Sequence, residues 1–380
     1  MADRLDSSTT KLFMPPMSGR RAAPRERSLD ALRGIAAFVV MTYHMNLAYH
    51  GVNLASSMMI PVRPLFGGSA AVYIFFVMSG FVLFRSLEGK DGFRYGPYIV
   101  KRMLRLYLPL AAAVLISALF YWLVKPVPIV GGSTWLNQKS WEAPPSLGLL
   151  LGHLALLDTT LFQSLDNVIW SLVHEIRISV IFPLLAVCIV RWPRQTLVLS
   201  LILSACGFYF APDKTPPHAV DLLRTARYVF LFVAGAWMAS RSEQIRSLMN
   251  DSRLAWGGIA VAWGLLALGS AFAPLAYSAA SILLVAIVSG NARISRGIER
   301  RVFIWLGEVS YGLYLIHLPL LLVFAHMLNG LASPAVVIGL AIPSALLGAQ
   351  LFTMFVDRKA IRIGRWASAR LFYREPALAS

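Results

Sequence analysis

Three ionisable side chains lie inside long apolar segments of the chain: His44, Glu175 and His317. An ionisable group deep in a bilayer costs ~2.5 to 3.5 kcal/mol on insertion scales, so by default it indicates function. Imidazole and carboxylate groups exchange protons with a reacting hydroxyl, which is general acid–base chemistry. The three residues therefore predict an acid–base site within a membrane.

The composition indicates a membrane protein. Of 380 residues, 57% are hydrophobic and 14% are charged, which leaves too little polar surface to cover a soluble domain. The net charge of +17 falls in short clusters between apolar segments, without the interleaved aromatic residues of a nucleic-acid surface. We therefore predict that the partner is the lipid bilayer and not nucleic acid.

Ten apolar segments have the ~17 to 25 residues of a membrane-spanning helix. They lie near residues 33–50, 69–86, 103–124, 168–190, 195–211, 223–240, 254–270, 274–290, 302–325 and 333–356. A further segment, 147–162, is too short to cross at ~1.5 Å per residue and is predicted to be re-entrant or interfacial. With ten crossings and both termini in the cytoplasm, most Lys and Arg residues face the cytoplasm, as the positive-inside rule requires. The predicted fold class is an all-α, polytopic membrane helix bundle.

This orientation gives each embedded residue a depth. Arg33 lies at the inner edge, and His44 lies three helical turns further along the same stripe, ~18 Å from the point near Leu32 where the span enters the membrane. Measured from the ends of their own spans, Glu175 lies ~20 Å and His317 ~22 Å above the inner face. We therefore expect His44 to meet Glu175 in a closed chamber partway across the bilayer. His174, next to Glu175, is a weaker rival as the base, and Arg177 and Glu308 point away from these stripes.

A basic cluster marks the inner edge. The segment "RMLR" places Arg102 and Arg105 one turn apart and level with Arg33. Such clusters are often topology anchors or contacts to lipid headgroups. Guanidinium groups also bind phosphate in a bidentate manner, so the three arginines could instead hold the phosphates of a nucleotide-bearing donor.

Five motifs, in order, resemble the integral-membrane acyltransferase family 3. They are Arg33-x10-His44, "VYIFFVMSGFVL" at 72–83, "RMLR" at 102–105, "WSLVHE" at 170–175 and "SYGLYLIH" at 310–317. The resemblance implies an acyl-CoA donor, usually acetyl-CoA, that approaches from the cytoplasm, and a hydroxyl acceptor on a carbohydrate or similar molecule. Many members carry Asp where this chain has Tyr73, so no acidic role is transferred to that position. Members with a fused extracellular domain have a long C-terminal extension, and since this sequence lacks one, we expect it to act alone or with a separate partner.

The sequence and the resemblance together assign roles. His44 is predicted to be the general base or a transiently acylated nucleophile, and Glu175 is predicted to orient its imidazole. Arg33, Arg102 and Arg105 are predicted to bind the donor, and Arg33 is also counted with His44 and Glu175 as a catalytic residue. An acceptor channel or oxyanion site is predicted from Ser79, Trp170, Ser171, Ser310, Tyr311, Tyr314 and His317. No metal or bound cofactor is predicted, because acyl-CoA is a co-substrate.

The chain is predicted to divide into a basic cytoplasmic tail at 1–27, one transmembrane acyltransferase domain at 28–356 and a second basic cytoplasmic tail at 357–380. The expected location is the inner (plasma) membrane of a bacterium. A proton-coupled secondary transporter is the alternative function, because embedded His and Glu residues also form proton relays. Transporters often show inverted repeats and broken helices, and the sequence contains neither.

Overall fold

The computed structural model describes residues 27–51, 60–87, 93–138, 140–155, 164–211, 217–268 and 273–372. Over these residues the chain is helical and forms no strand. The helices are α1 (Arg27–His50), α2 (Gly68–Leu87), α3 (Tyr95–Val124), α4 (Thr134–Gln138), α5 (Leu147–Ala155), α6 (Ile169–Arg191), α7 (Pro193–Phe210), α8 (Pro217–Ser240), α9 (Ser242–Met249), α10 (Ser252–Leu268), α11 (Ala273–Gly290), α12 (Ala292–Ile298), α13 (Arg301–Met327), α14 (Pro334–Phe352) and α15 (Arg358–Phe372). A 3₁₀ turn at Ile60–Phe66 and a π-helical turn at Thr353–Asp357 complete the described elements.

A long helix occupies each of the ten predicted spans, which confirms an all-α bundle of membrane type. Seven helical segments of the described chain are long and apolar enough to cross a membrane. They belong to α2, α3, α6, α8, α11, α13 and the continuous run Pro334–Phe372. Helices α1, α7 and α10 do not meet the same criteria of length and composition, so the number of ten crossings stays a prediction.

The short segment predicted at 147–162 begins as a helix. Helix α5 covers Leu147–Ala155, and the remainder of the segment lies outside the described residues. Its nine residues span only ~14 Å of a ~30 Å hydrocarbon layer, so α5 is too short to cross. The Tyr107 hydroxyl of α3 donates to the Leu154 carbonyl at 2.9 Å and attaches α5 to the bundle.

Helix α1 lies at the centre of the site because it packs against both α13 and α2. The α1–α13 crossing is closest at Gly34 and Gly307, where an added Cβ atom would overlap the backbone of the opposite helix. Gly80 and Gly235 produce the same close approach between α2 and α8. Small residues let membrane helices approach until their backbones touch. These contacts fix the distance between the helices that carry the site.

The end of the described chain forms part of the bundle. After the π-helical turn, α15 packs against α3, and Ala360, Gly364 and Ser368 form its buried face. The sequence analysis placed these residues in a basic tail and gave them no part in the site.

Candidate active site

A pair of histidines joins α1 to α13. His44 Nδ1 lies 3.0 Å from His317 Nε2, and His317 Nδ1 lies 2.8 Å from the Leu313 carbonyl oxygen. A carbonyl oxygen only accepts, so His317 carries its proton on Nδ1 and its Nε2 accepts the proton of His44 Nδ1. The remaining nitrogen of His44, Nε2, therefore keeps a free lone pair. This is the tautomer that a general base needs.

The pair is shielded by aromatic side chains. His317 is fully buried, and the Trp135 ring stacks on the His44 ring at 5.5 Å between centroids and an interplanar angle of 27°. Trp135 belongs to α4, whose start is fixed to α1 because Ser133 donates through its backbone N–H to Ala48 O and through its hydroxyl to Leu47 O. The sequence analysis missed Trp135, because only tertiary packing places this loop over the histidine.

The predicted pairing of His44 with Glu175 is wrong. Glu175 Oε1 accepts one hydrogen bond from Arg102 at 2.5 Å and another from the Ser79 hydroxyl at 2.9 Å. Depth along a helix axis does not fix the direction in which a side chain points, and the neighbours of α6 turn Glu175 toward α2 and α3. The carboxylate therefore fixes Arg102, and the acceptor beside His44 is His317.

A cavity of about 1040 Å³ opens next to this carboxylate. Its wall contains most of the predicted site residues, namely Arg33, Ser79, Arg102, Arg105, Ser171, Glu175, Ser310, Tyr311 and Tyr314. Seven arginines line it: Arg33, Arg85, Arg102, Arg105, Arg246, Arg358 and Arg365. Guanidinium groups bind phosphate in a bidentate manner, so this lining has the chemistry that an anionic ligand requires.

The cavity arginines differ in their partners. Arg33 pairs with Asp30 one turn earlier on α1, at 3.0 Å, and Arg102 pairs with Glu175. Arg105 makes no hydrogen bond and no ion pair with the residues that the structure describes, and its side chain is open to the cavity. Its charge interacts electrostatically with Asp357 and Glu175, and its N–H donors remain available to a ligand.

Tyr314 stands between the cavity and the histidine pair. It lines the cavity, and its ring lies edge-on to His317 with 6.3 Å between centroids. Its hydroxyl donates to the Val168 carbonyl at 3.0 Å, so the Ser171 hydroxyl, 2.7 Å away, donates to it. Neither His44 nor His317 is among the residues that line the cavity. Tyr314 therefore separates the two parts of the site in this conformation.

The other hydroxyls have local partners. The Ser310 hydroxyl donates to Gly307 O at 2.8 Å, and the Tyr311 hydroxyl donates to Leu106 O at 2.7 Å. Trp170 is the one predicted acceptor residue that is absent from both parts of the site, because its ring packs near His174 and Tyr228.

Two further embedded residues have partners on α8. The rival base His174 is hydrogen-bonded to Thr225 at 2.9 Å, and Arg177 forms an ion pair with Asp221 at 2.6 Å. Glu308, which was expected to point away, lines the cavity instead.

A buried carboxyl group lies just before α6. Asp166 is fully buried, and its carboxyl oxygens have no side-chain partner among the described residues, although the backbone N–H of Val168 lies nearby. Burial raises the pKa of this carboxyl well above its usual range, because desolvation penalises the charged form. The residues around it are held firmly, since the Ser117 hydroxyl donates to Leu165 O at 2.6 Å.

An imidazole with a free lone pair near an arginine-lined cavity is compatible with a group-transfer enzyme. Comparison with known families identifies the group transferred. The acyltransferase domain family, acyltransferase family 3, matches residues 26–354, so the chain belongs to this family. It is an O-acyltransferase, and the family match supports an enzyme rather than the alternative of a proton-coupled transporter.

The relatives are named as acyl-transferring enzymes. One is named as a membrane-bound transacylase, BcsY, of Komagataeibacter xylinus, 25% identical over 80% of this chain and 75% of the relative. The peptidoglycan O-acetyltransferase OatA of Listeria monocytogenes is 21% identical over 77% of this chain and 49% of the relative. The acyltransferase MdmB of Streptomyces mycarofaciens is 24% identical over 80% of each chain. No solved structure matches the chain.

Proposed function

We propose that this protein transfers an acyl group, in the first instance acetyl, from acyl-CoA to a hydroxyl group of a carbohydrate, with His44 as the general base. The observation that carries the proposal is the hydrogen bond of 3.0 Å from His44 Nδ1 to His317 Nε2. It leaves the outer nitrogen of His44 basic in a partly buried site that the Trp135 ring covers, where it can act as a general base.

The arginine-lined cavity is the proposed donor site. Coenzyme A carries a diphosphate and a separate phosphate monoester, and guanidinium groups bind both in a bidentate manner. Arg33 and Arg102, each already oriented by a carboxylate, hold the diphosphate in this proposal. The pantetheine arm then runs along the polar wall formed by Ser310 and Tyr311, and movement of the Tyr314 ring admits the thioester to His44.

The proposed reaction is a direct transfer. His44 Nε2 removes the proton of the acceptor hydroxyl as the oxygen attacks the thioester carbonyl carbon. The tetrahedral intermediate collapses with cleavage of the C–S bond, and the imidazolium returns the proton to the leaving thiolate. His317 accepts a hydrogen bond from His44 Nδ1 throughout and is a positioning residue, as the third member of a catalytic triad is.

The proposed topology places the two substrates on opposite sides. With ten crossings and both termini in the cytoplasm of a bacterial cell, the arginine-lined cavity faces the cytoplasm and α4 with Trp135 covers the outer end of the site. The acceptor enters from the outer side past Trp135, which offers a flat ring for a sugar. A carbohydrate acceptor is supported by the relative that is named for peptidoglycan O-acetylation.

The proposal is tested with membrane vesicles that contain the natural acceptor and labelled acetyl-CoA. Wild-type protein incorporates label into the carbohydrate fraction, and His44→Ala abolishes incorporation while the protein remains in the membrane. The matched control is His50→Ala, which removes the exposed histidine at the end of the same helix and leaves activity unchanged. Transfer by His44→Ala at the wild-type rate would remove the proposed base.

A further inference from the structure

The chain after residue 352 lines part of the cavity. It contributes polar groups that the proposed reaction does not use. In the π-helical turn Thr353–Asp357, the backbone N–H of Arg358 bonds to the Thr353 carbonyl five residues earlier. Turns of this kind insert one extra residue into a helix and occur frequently at functional sites. The family match ends at residue 354, so membership of the family assigns no role to Asp357 or to α15.

Two buried polar atoms of this turn lack partners. Thr353 Oγ1 and Asp357 Oδ1 have no hydrogen-bond partner among the residues that the structure describes, although Thr353 is 3% and Asp357 8% exposed. Both residues line the cavity. Buried polar groups in folded proteins are nearly always paired with protein, water or ligand. Their position indicates a ligand with hydrogen-bonding groups at this end of the cavity.

Helix α15 adds cations to the same wall. Three residues of α15 line the cavity: Arg358, Ile361 and Arg365. They share one stripe because residues three and seven apart on a helix face the same way. Helix α15 is held close to α3, since Gly364 lies against the backbone of Lys101. The stripe therefore lies beside the turn of α3 that carries Arg105.

Charge identifies the kind of ligand. Arg105, Arg358 and Arg365 supply three positive charges, and Asp357 lies within electrostatic reach of Arg105 and Arg358. The group thus has a net charge of about +2, which matches a phosphate monoester near its doubly ionised state. The carboxylate in the same group suits a neighbouring hydroxyl, which can donate a hydrogen bond to it.

We propose that the π-helical turn and α15 form a separate subsite for the 3′-phosphorylated ribose of the CoA donor. Arg105, Arg358 and Arg365 bind the 3′-phosphate, and Asp357 accepts a hydrogen bond from the adjacent ribose hydroxyl. The subsite makes the enzyme select CoA over dephospho-CoA, which lacks this phosphate. The inference rests on the proposed function, because it concerns the same donor.

The experiment compares equilibrium binding of CoA and dephospho-CoA to the purified full-length protein in phosphatidylcholine nanodiscs. Wild-type protein binds CoA more tightly by about 10-fold to 100-fold, the range expected from one or two hydrogen bonds to a charged group. The double variant Arg358→Ala/Arg365→Ala loses most of this preference and keeps only the part that Arg105 supplies. The matched control is Lys359→Ala/Arg362→Ala, which removes two cations from the face of α15 that lines a separate surface groove and keeps the preference.

The outcomes separate the two proposals. Equal wild-type affinities for CoA and dephospho-CoA overturn the subsite, and this result needs no variant to fold. A control variant that loses the preference as fully as the double variant also overturns it, because the effect would then be general attraction to a basic helix. If the preference disappears in nanodiscs of anionic phosphatidylglycerol, the subsite binds a lipid phosphate and the inference fails. If neither compound binds, the proposed acyl-CoA donor fails instead.

Discussion

The sharpest prediction concerns His317, which touches the proposed base but does not line the cavity. Replacing it with Leu introduces an apolar side chain of similar size and removes the acceptor that lies 3.0 Å from His44 Nδ1. The buried N–H of His44 then has no partner, and its imidazole is free to rotate or to carry the proton on the wrong nitrogen. His317→Gln is the matched variant, because a glutamine amide oxygen reaches about as far from the backbone as Nε2 does and can accept the same bond.

The magnitude follows from the charge that develops on His44. A hydrogen bond to a neutral group contributes ~0.5 to 1.5 kcal/mol and one to a charged group ~1.5 to 3 kcal/mol. In the proposed reaction His44 becomes positively charged in the transition state, so the Leu variant loses the stronger interaction there. We expect kcat to fall about 10-fold to 150-fold in the Leu variant. The KM for acetyl-CoA should stay constant, because a group that acts only in the transition state affects kcat.

The assay measures initial rates of acetyl transfer in vesicles at several acetyl-CoA concentrations, after folded protein has been quantified by size-exclusion chromatography. We expect the Gln variant to recover most of the lost rate. Wild-type kcat in the Leu variant would refute the positioning role. Equal kcat values for the Gln and Leu variants would refute it too, since the hydrogen-bond acceptor would then be irrelevant.

Three other predictions follow from single contacts. Asp166→Asn should raise the melting temperature at pH 8 more than at pH 5. The folded pKa of Asp166 is raised, so the stability of the wild-type protein falls as pH rises above the unfolded pKa of ~3.9, until the folded carboxyl ionises. Asparagine does not ionise, so the variant lacks this loss. Parallel wild-type and variant melting curves across this pH range would contradict the reasoning. Glu175→Gln should raise the KM for acetyl-CoA about tenfold by weakening the charged bond to Arg102, with little change in kcat; a fall in kcat alone would return Glu175 to the role of base partner. Gly80→Ala should lower the melting temperature, because its Cβ would overlap the backbone of α8 at an overpacking cost of ~1 to 3 kcal/mol. Gly264→Ala, which adds its Cβ to open space, is the control, and equal melting temperatures for the two variants would argue against the close crossing.

The helical pattern was predictable because a bilayer leaves the backbone few choices. Each long apolar segment must satisfy its own hydrogen bonds, so it becomes a helix, and the structure has a helix at every predicted span. Sequence also grouped Arg33 with the two arginines of "RMLR" from their spacing, and all three line one cavity. The role of the segment after residue 357 was not predicted from sequence, because a basic segment resembles a cytoplasmic tail. Its packing against α3 shows that it forms part of the cavity wall.

Sequence alone determined which ionisable residues of this protein lie in long apolar helices, and it predicted their heights from helical rise and bilayer thickness. It did not determine which of them meet. The partner of His44 proved to be His317 and that of Glu175 proved to be Arg102, although all these helices pass the same layer. Pairing depends on how each helix is rotated and how closely it approaches its neighbours, and that is decided by side-chain packing across the whole bundle, such as the contact between Gly34 and Gly307.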